Sequence, residues 1–363
     1  MSTSLSKKGI AWIILVSLAV VVKIFSLFPG AVEKYYSDGI YLIISKSQRI
    51  LFGWLPFSIG DIFYISVAIW LLYKLVQVIR LIIKRKTGRQ YWLAGFRRLI
   101  FVLLEIYVGF NLLWGLNYNR RGIAFQLGLQ VERYSKADLE EVMQEIVYHL
   151  NELDSVAKSD RPALGNTREL FRGATSAYHN LSLIQPALSY DYKSVKSSLF
   201  GTIGNYMGYT GYYNPFSGEA QVNTTVPVFI QPFTTCHEIG HQLGYAKENE
   251  ANFAGYLSAR ASVNPAFRYS VYFDLYSYSY FYLYILDSAR AKQFSHELKP
   301  GIKKDFRTIQ EFLFAYRNPA ERVIDKLYGQ YLKANEQPAG KFTYNEVVAW
   351  LVAYYKKYGK TAI

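Results

Sequence analysis

The pattern of apolar and polar positions divides the chain in two. Residues 9–29, 61–83 and 99–116 are apolar runs, each of about the length needed to cross a bilayer. The first is long for a signal peptide and has no clear small-residue cleavage site before Pro29. From residue 117 onward the texture changes to short amphipathic segments. Residues 135–154 carry an apolar stripe of Leu139, Val142, Ile146, Leu150 and Leu153, and Ser135 with Asp138 three positions later has the form of a capping box. A second helix is predicted over 167–183. Residues 199–229 are rich in Gly, Tyr and Thr, and Ala220–Val228 reads as a short edge strand because Pro227 denies it a place inside a sheet. Helices follow over 233–243, 248–262 and 342–358. The segment 268–291 holds seven of the 33 tyrosines and reads as a helix buried against the rest or lying at a membrane surface. The predicted architecture is α+β, mostly helical. A membrane anchor over 1–116 has three spans, and a domain over 117–363 has a small edge-strand region.

Charge changes the picture in one respect. The chain carries a net +14, but residues 1–116 hold 14 Lys/Arg against 4 Asp/Glu, so the excess lies in the most apolar part. That is the pattern of a membrane protein with basic flanks, and it excludes a nucleic-acid partner. Lys7 and Lys8 precede the first span, and Lys84, Arg85, Lys86, Arg89, Arg97 and Arg98 lie between the second and third. Only Lys34, Lys46 and Arg49 lie in the longer loop between the first two. By the positive-inside rule the N-terminus is cytoplasmic and residues 117–363 are outside. Lys74 and Glu105 fall at similar depths, which predicts an intramembrane pair. A single cysteine, Cys236, excludes an internal disulfide.

The chemistry concentrates at Cys236-His237-Glu238-Ile239-Gly240-His241, which contains H-E-x-x-H. Positions i and i+4 of a helix share a face, so two imidazoles can hold one zinc ion, with Glu238 between them as general base toward water at the metal. The position where a metzincin carries a third histidine is Lys247, which cannot ligate. A carboxylate is available in Glu248-Asn249-Glu250-Ala251-Asn252, if Gly244 ends the first helix in the left-handed conformation and lets the chain double back. Glu250 is the preferred ligand and Glu248 the alternative. Cys236, one residue before the first histidine, points to another face and reads as a packed thiol. Tyr213 and Tyr331 are candidate oxyanion donors, and Gly218–Val226 is a candidate edge strand for pairing with substrate.

Asn249-Glu250-Ala251 resembles the segment in which thermolysin-type gluzincins carry their glutamate ligand. Glu248–Ala254 is similar to the E-x-E-A-N segment of regulatory zinc peptidases that cleave repressors. More widely, Tyr213–Ala220, Asn223, Pro232–Leu243 and Glu248–Tyr256 together resemble a bacterial family known as domain of unknown function 3810, which shares the layout of N-terminal spans followed by an HExxH domain. The resemblance implies a gluzincin-like fold, zinc held by His237, His241 and Glu250, and a catalytic Glu238. The expected protein is a zinc metallopeptidase of the bacterial cytoplasmic membrane, acting on extracytoplasmic proteins or peptides. The alternatives are a non-catalytic envelope-binding module and a zinc hydrolase of a cell-wall amide. The motif's distance in sequence from every span argues against cleavage within the membrane.

Overall fold

The computed structural model describes residues 6–337, 344–360 and 363. Residues 342 and 343, the start of the predicted 342–358 helix, lie outside the described residues. The chain is mostly helical, with one three-stranded sheet. The first apolar run forms α1 (Lys7–Ser26). A short turn, α2 (Pro29–Ala31), leads into a π-helical segment over Val32–Ile40 and then α3 (Tyr41–Phe52). Helices α4 (Ile59–Ile83) and α5 (Arg89–Leu113) follow. A 3-10 turn at Gly115–Asn119 and the short α6 (Ile123–Gln126) connect to the rest.

Two of these helices, α1 and α4, are long and apolar enough to cross a membrane. The third expected span differs. Every 18-residue stretch of α5 contains Arg97, Arg98 and Glu105, and this charge removes it from that class. Helix α5 packs along α1, with the Trp12 and Phe101 rings edge-to-face at 5.1 Å. The predicted Lys74–Glu105 pair is also not formed. Lys74 donates to Gln77 of its own helix at 3.2 Å and lies over the Trp70 and Tyr73 rings.

The main core is built from α7 (Lys136–Leu164), α8 (Thr167–Ser182), α10 (Gln231–Gln242), α11 (Glu248–Arg260), α12 (Pro265–Leu286) and α16 (Tyr344–Tyr358). The capping box of Ser135 and Asp138 opens α7, whose predicted stripe is buried. That stripe packs along the tyrosine-rich α12, with Tyr269, Tyr272 and Tyr276 inside. The tyrosine helix is therefore a core element. Smaller helices surround this core: α9 (Gly201–Met207), α13 (Ser288–Glu297), α14 (Pro300–Ala315) and α15 (Glu321–Ala334).

The sheet has the order β1-β3-β2. Strand β1 (Val195–Ser197) runs parallel to β3 (Glu219–Val222), and β2 (Gly211–Asn214) runs antiparallel to it, with Gly211 opposite Val222. The expected edge strand at 220–228 is thus the central strand. It ends at Val222, before Pro227, so the proline never meets the ladder.

Residues 29–58, which the hydropathy pattern assigns to the anchor, are built into the site-bearing unit. Tyr41 Oη and Ser45 Oγ donate to the Gln242 carbonyl at 2.9 and 2.8 Å, and Gln48 Nε2 donates to Pro215 O at 2.9 Å. The first turn of α4 is held the same way. The buried Glu219 carboxylate accepts from Ser58 Oγ and from the Ile59 and Gly60 amides, so an anion meets the open N–H groups of a helix start.

Candidate metal centre

Helix α10 carries the H-E-x-x-H motif, and α11 returns beside it. Gly244, with φ of 88°, makes the reversal, as the sequence predicted. The two helices approach closely because small residues face each other. A methyl group on Gly255 would lie 3.0 Å from the His237 amide nitrogen, and one on Gly240 would lie 3.2 Å from the Ala251 carbonyl. This close approach brings α11 side chains to the histidines.

Each imidazole is fixed through Nδ1. His237 Nδ1 bonds Asn252 Oδ1 at 2.8 Å, and His241 Nδ1 bonds the Tyr245 carbonyl at 2.8 Å. An Nδ1–H donated to those oxygens leaves the Nε2 lone pair free, so both Nε2 atoms present acceptors in the same direction. They meet the carboxylate of Glu248, with Oε2 3.4 Å from His237 Nε2 and Oε1 3.9 Å from His241 Nε2.

Glu250 is not there. Residues two apart on a helix lie about 200° round from each other. Glu248, Asn252 and Gly255 share the face toward α10, while Glu250 points the opposite way. Its carboxylate lies against Gly122, where φ is 87° and any side chain would collide with it. Burial pushes its pKa up to about 7. The geometry brings Glu248 to the two imidazoles in place of the preferred Glu250.

Glu238 lies between the histidines in sequence and against β2 in space. A methyl group at Gly211 would come within 2.5 Å of Glu238 Oε1, so a glycine there makes room for the carboxylate. Glu238 Oε2 is buried without a hydrogen-bond partner among the described residues, and burial raises its pKa to about 8. Burial opposes charge on Glu248 as well, but the adjacent imidazoles outweigh it and hold that pKa near 2. Burial likewise opposes charge on His237, yet Glu248 beside it raises its pKa to about 9. His241, more deeply enclosed, is pushed down to about 4 by burial. His237, Glu238 and His241 offer ligand atoms within 4.8 Å of one another. With the Glu248 carboxylate beside both imidazoles, the residues present form a donor set that fits a borderline divalent cation.

The end of α10 is closed from outside the motif. Trp114, just past α5, donates Nε1–H to the His241 carbonyl at 3.2 Å, with its ring 6.0 Å from the imidazole. The motif, distant from every apolar run in sequence, is in contact with the end of one in space. Arg120 supports the next turn. It donates to Gly244 O at 3.3 Å, lies over the Tyr245 ring at 4.9 Å and pairs with Glu33 at 2.8 Å.

The other candidates separate clearly. Tyr213 is buried under Trp114, and its hydroxyl is 3.4 Å from that of Tyr41. Tyr331 remains near the site, 3.1 Å from the Tyr118 hydroxyl. Asn223 is structural, donating to Gly201 O and Asn205 Oδ1. Cys236 is fully buried and its pKa is raised to about 12 by burial, as befits a packed thiol. His149 is half-buried and stacked on Tyr272 at 4.7 Å. His179 and His296 are exposed. Sequence reasoning missed Asn252, Trp114, and Tyr328, whose hydroxyl donates to Glu248 Oε1 at 3.0 Å. Only Asn252 had a readable signal, four positions after Glu248 on the same helical face. Replacing Asn252 with alanine is expected to weaken divalent-metal affinity about 10–100-fold without loss of folding, measured by competition with a chelating dye. Unchanged affinity would contradict its role in orienting His237.

These features define a helical protein with apolar N-terminal helices and a His-Glu-His cluster enclosed by two packed helices. The chain belongs to the family described as protein of unknown function DUF3810, whose profile matches residues 36–352. That match begins within the π-helical segment and so includes α3. No curated protein and no solved structure matches the chain.

Proposed function

We propose that this protein is a membrane-anchored zinc metallopeptidase of the gluzincin kind. The observation that carries the reading is the convergence of His237 Nε2, His241 Nε2 and the Glu248 carboxylate, beside a buried Glu238 with an unpartnered oxygen. Held by those three side chains, zinc would supply Lewis-acid polarisation of the scissile carbonyl and of the attacking water. Glu238 takes the proton from that water and delivers it to the leaving nitrogen. Its enclosed position keeps bulk water from competing for the proton. Strand β2 ends the sheet beside Glu238, so its free edge can pair with an extended peptide and present a carbonyl to the site. Of the two candidate oxyanion donors, Tyr331 is the one near Glu248, and its field acts on both Tyr118 and Tyr331.

Glu238→Gln tests the reading. It is expected to abolish peptide hydrolysis while leaving bound zinc at the wild-type level, because the amide keeps the shape and loses the base. Retained hydrolysis of the same peptide would overturn the catalytic assignment.

The anchor is read as three helices that leave the site-bearing unit from one side. The C-terminal ends of α1 and α5 and the N-terminal start of α4 all join that unit. The basic residues Lys7, Lys8, Lys84, Arg85, Lys86 and Arg89 lie at the opposite ends. Although α5 is too charged to qualify alone, its Leu99, Leu103 and Ile106 are exposed, and Arg97 and Arg98 fall near the basic end. This supports N-terminus inside and the site outside the cytoplasmic membrane. An alkaline phosphatase fused after Ile363 is expected to be active, and an inactive, stably expressed fusion would reverse the topology.

A further inference from the structure

Two exposed apolar stripes flank the base of α4. Leu199, just before α9, and Ile203 and Met207 within it recur at every fourth position, as do Val323, Leu327 and Tyr331 along α15. Ile203 is 54% exposed and Leu327 60%, although a solvent-facing helix ordinarily presents polar residues there. The two helices lie together. Asn318, just before α15, donates to Tyr206 O at 2.7 Å, and the Tyr206 and Tyr316 rings meet edge-to-face at 5.1 Å.

Both stripes are tied to the point where α4 leaves the unit. The Leu199 amide donates to Asp61 Oδ2 at 2.6 Å, in the first turn of α4. Helix α15 reaches the same region through its packing on α9. Trp54, 76% exposed, and Phe57 immediately precede the helix, in the position of an aromatic anchor at a bilayer boundary. The other side of α15 is charged, with Arg322, Lys326 and Lys333 beside Glu321 and Asp325. An apolar stripe opposite a strongly charged face is the pattern of a helix lying in a headgroup layer.

We infer that α9 and α15 form a collar seated in the bilayer interface around α4, so that the metal centre opens at the membrane surface toward membrane-tethered polypeptides. The inference rests on the membrane anchoring proposed above and deepens it. Continuity with α4 selects lipid over a soluble partner, because the stripes extend a surface that is already apolar along the helix. The link to the site is direct. Helix α15 also places Tyr328 Oη on Glu248 and Tyr331 Oη on Tyr118. A helix held in the interface therefore forms one wall of the site, and a chain emerging from the bilayer reaches that wall first.

The test uses the full-length protein in nanodiscs of phosphatidylcholine and phosphatidylglycerol. Single cysteines are introduced as Leu327→Cys, Ile203→Cys, Lys326→Cys and Leu71→Cys and labelled with the NBD fluorophore. Cys236 is fully buried, so the unaltered chain measures background labelling. Lipids carrying a nitroxide near the glycerol backbone are expected to quench the 327 and 203 probes at least about twofold more than the 326 probe. Lipids with a nitroxide deep in the acyl chain should quench the probe at 71. Quenching at 71 with no excess at 327 and 203 would overturn the collar alone. That includes the case where both probes are shielded from water but not quenched, as a second copy of the chain would shield them. No quenching at 71 would overturn the membrane anchoring and the collar with it.

Discussion

Glu248→Ala is expected to strip the metal from the full-length protein, whereas Glu250→Ala keeps it. Removing one of three protein ligands should weaken zinc at least about 100-fold, more than losing a supporting hydrogen bond does. Zinc content after dialysis against a weak chelator separates the two variants. The reasoning is geometric. The Glu248 oxygens lie 3.4 and 3.9 Å from the two Nε2 atoms, and the Glu250 carboxylate lies on the far side of the same helix against Gly122. Glu250→Ala should instead change stability, since it empties a buried position beside Gly122. Zinc lost from Glu250→Ala and retained by Glu248→Ala would show that α11 turns its other face to the histidines.

Arg120→Met should destabilise the protein by about 3–5 kcal/mol at neutral pH, the cost of breaking a buried ion pair from one side. The guanidinium and the Glu33 carboxylate are 2% and 9% exposed, and their oxygen and nitrogen are 2.8 Å apart. Burial alone would raise the Glu33 pKa, but Arg120, Gly122 and Gln126 outweigh it and hold the value below the usual range. A carboxyl whose folded pKa is lowered contributes stability above its unfolded value, and that contribution disappears as pH falls through the folded one. In the variant, Glu33 keeps its hydrogen bonds from the Arg121 and Gly122 amides and from Gln126 but loses its buried counter-charge, a cost that protonation relieves. The difference between the two proteins should therefore be largest near neutrality and shrink on acidification, read from denaturation midpoints in detergent. A difference that grows on acidification would mean that Arg120 acts through its packing on Tyr245. Zinc affinity should fall as well, because Arg120 braces the turn whose Tyr245 carbonyl orients His241.

What the sequence disclosed was local. The capping box at Ser135 and the buried stripe of α7 depend only on neighbours within the helix, and both are present. The pairing of His237 with His241 is also fixed by one turn of helix, as is the reversal at Gly244. The choice between Glu248 and Glu250 is different. It depends on the rotation of α11 relative to α10, which contacts at Gly240 and Gly255 set. Those glycines were visible, but their partners were not. The contribution of Tyr41, Ser45 and Trp114 to the end of α10 depends on docking across most of the chain, and hydropathy assigned those residues to the anchor. The strand at 219–222 was found, but its central position was hidden because β1 and β2 are only three and four residues long. The third predicted run is less apolar than the other two because α5 carries three charges that a shorter window over 99–116 left partly out.

The docking of α3 onto the end of α10 also bears on how the chain is made. Tyr41 and the Gln242 carbonyl it binds are 201 positions apart, and Gly60 is 159 positions from Glu219. At about 5–20 residues per second of synthesis, some 10–40 seconds separate the emergence of Tyr41 from that of its acceptor. During that interval α3 has no partner for its Tyr41 and Ser45 hydroxyls, although the apolar helices on either side of it have already been made. The unit bearing the histidines is thus completed last, from two stretches of chain that meet only when translation has passed α10. A nascent chain halted before residue 231 holds both of the long apolar helices, α1 and α4, and none of His237, Glu238, His241 and Glu248.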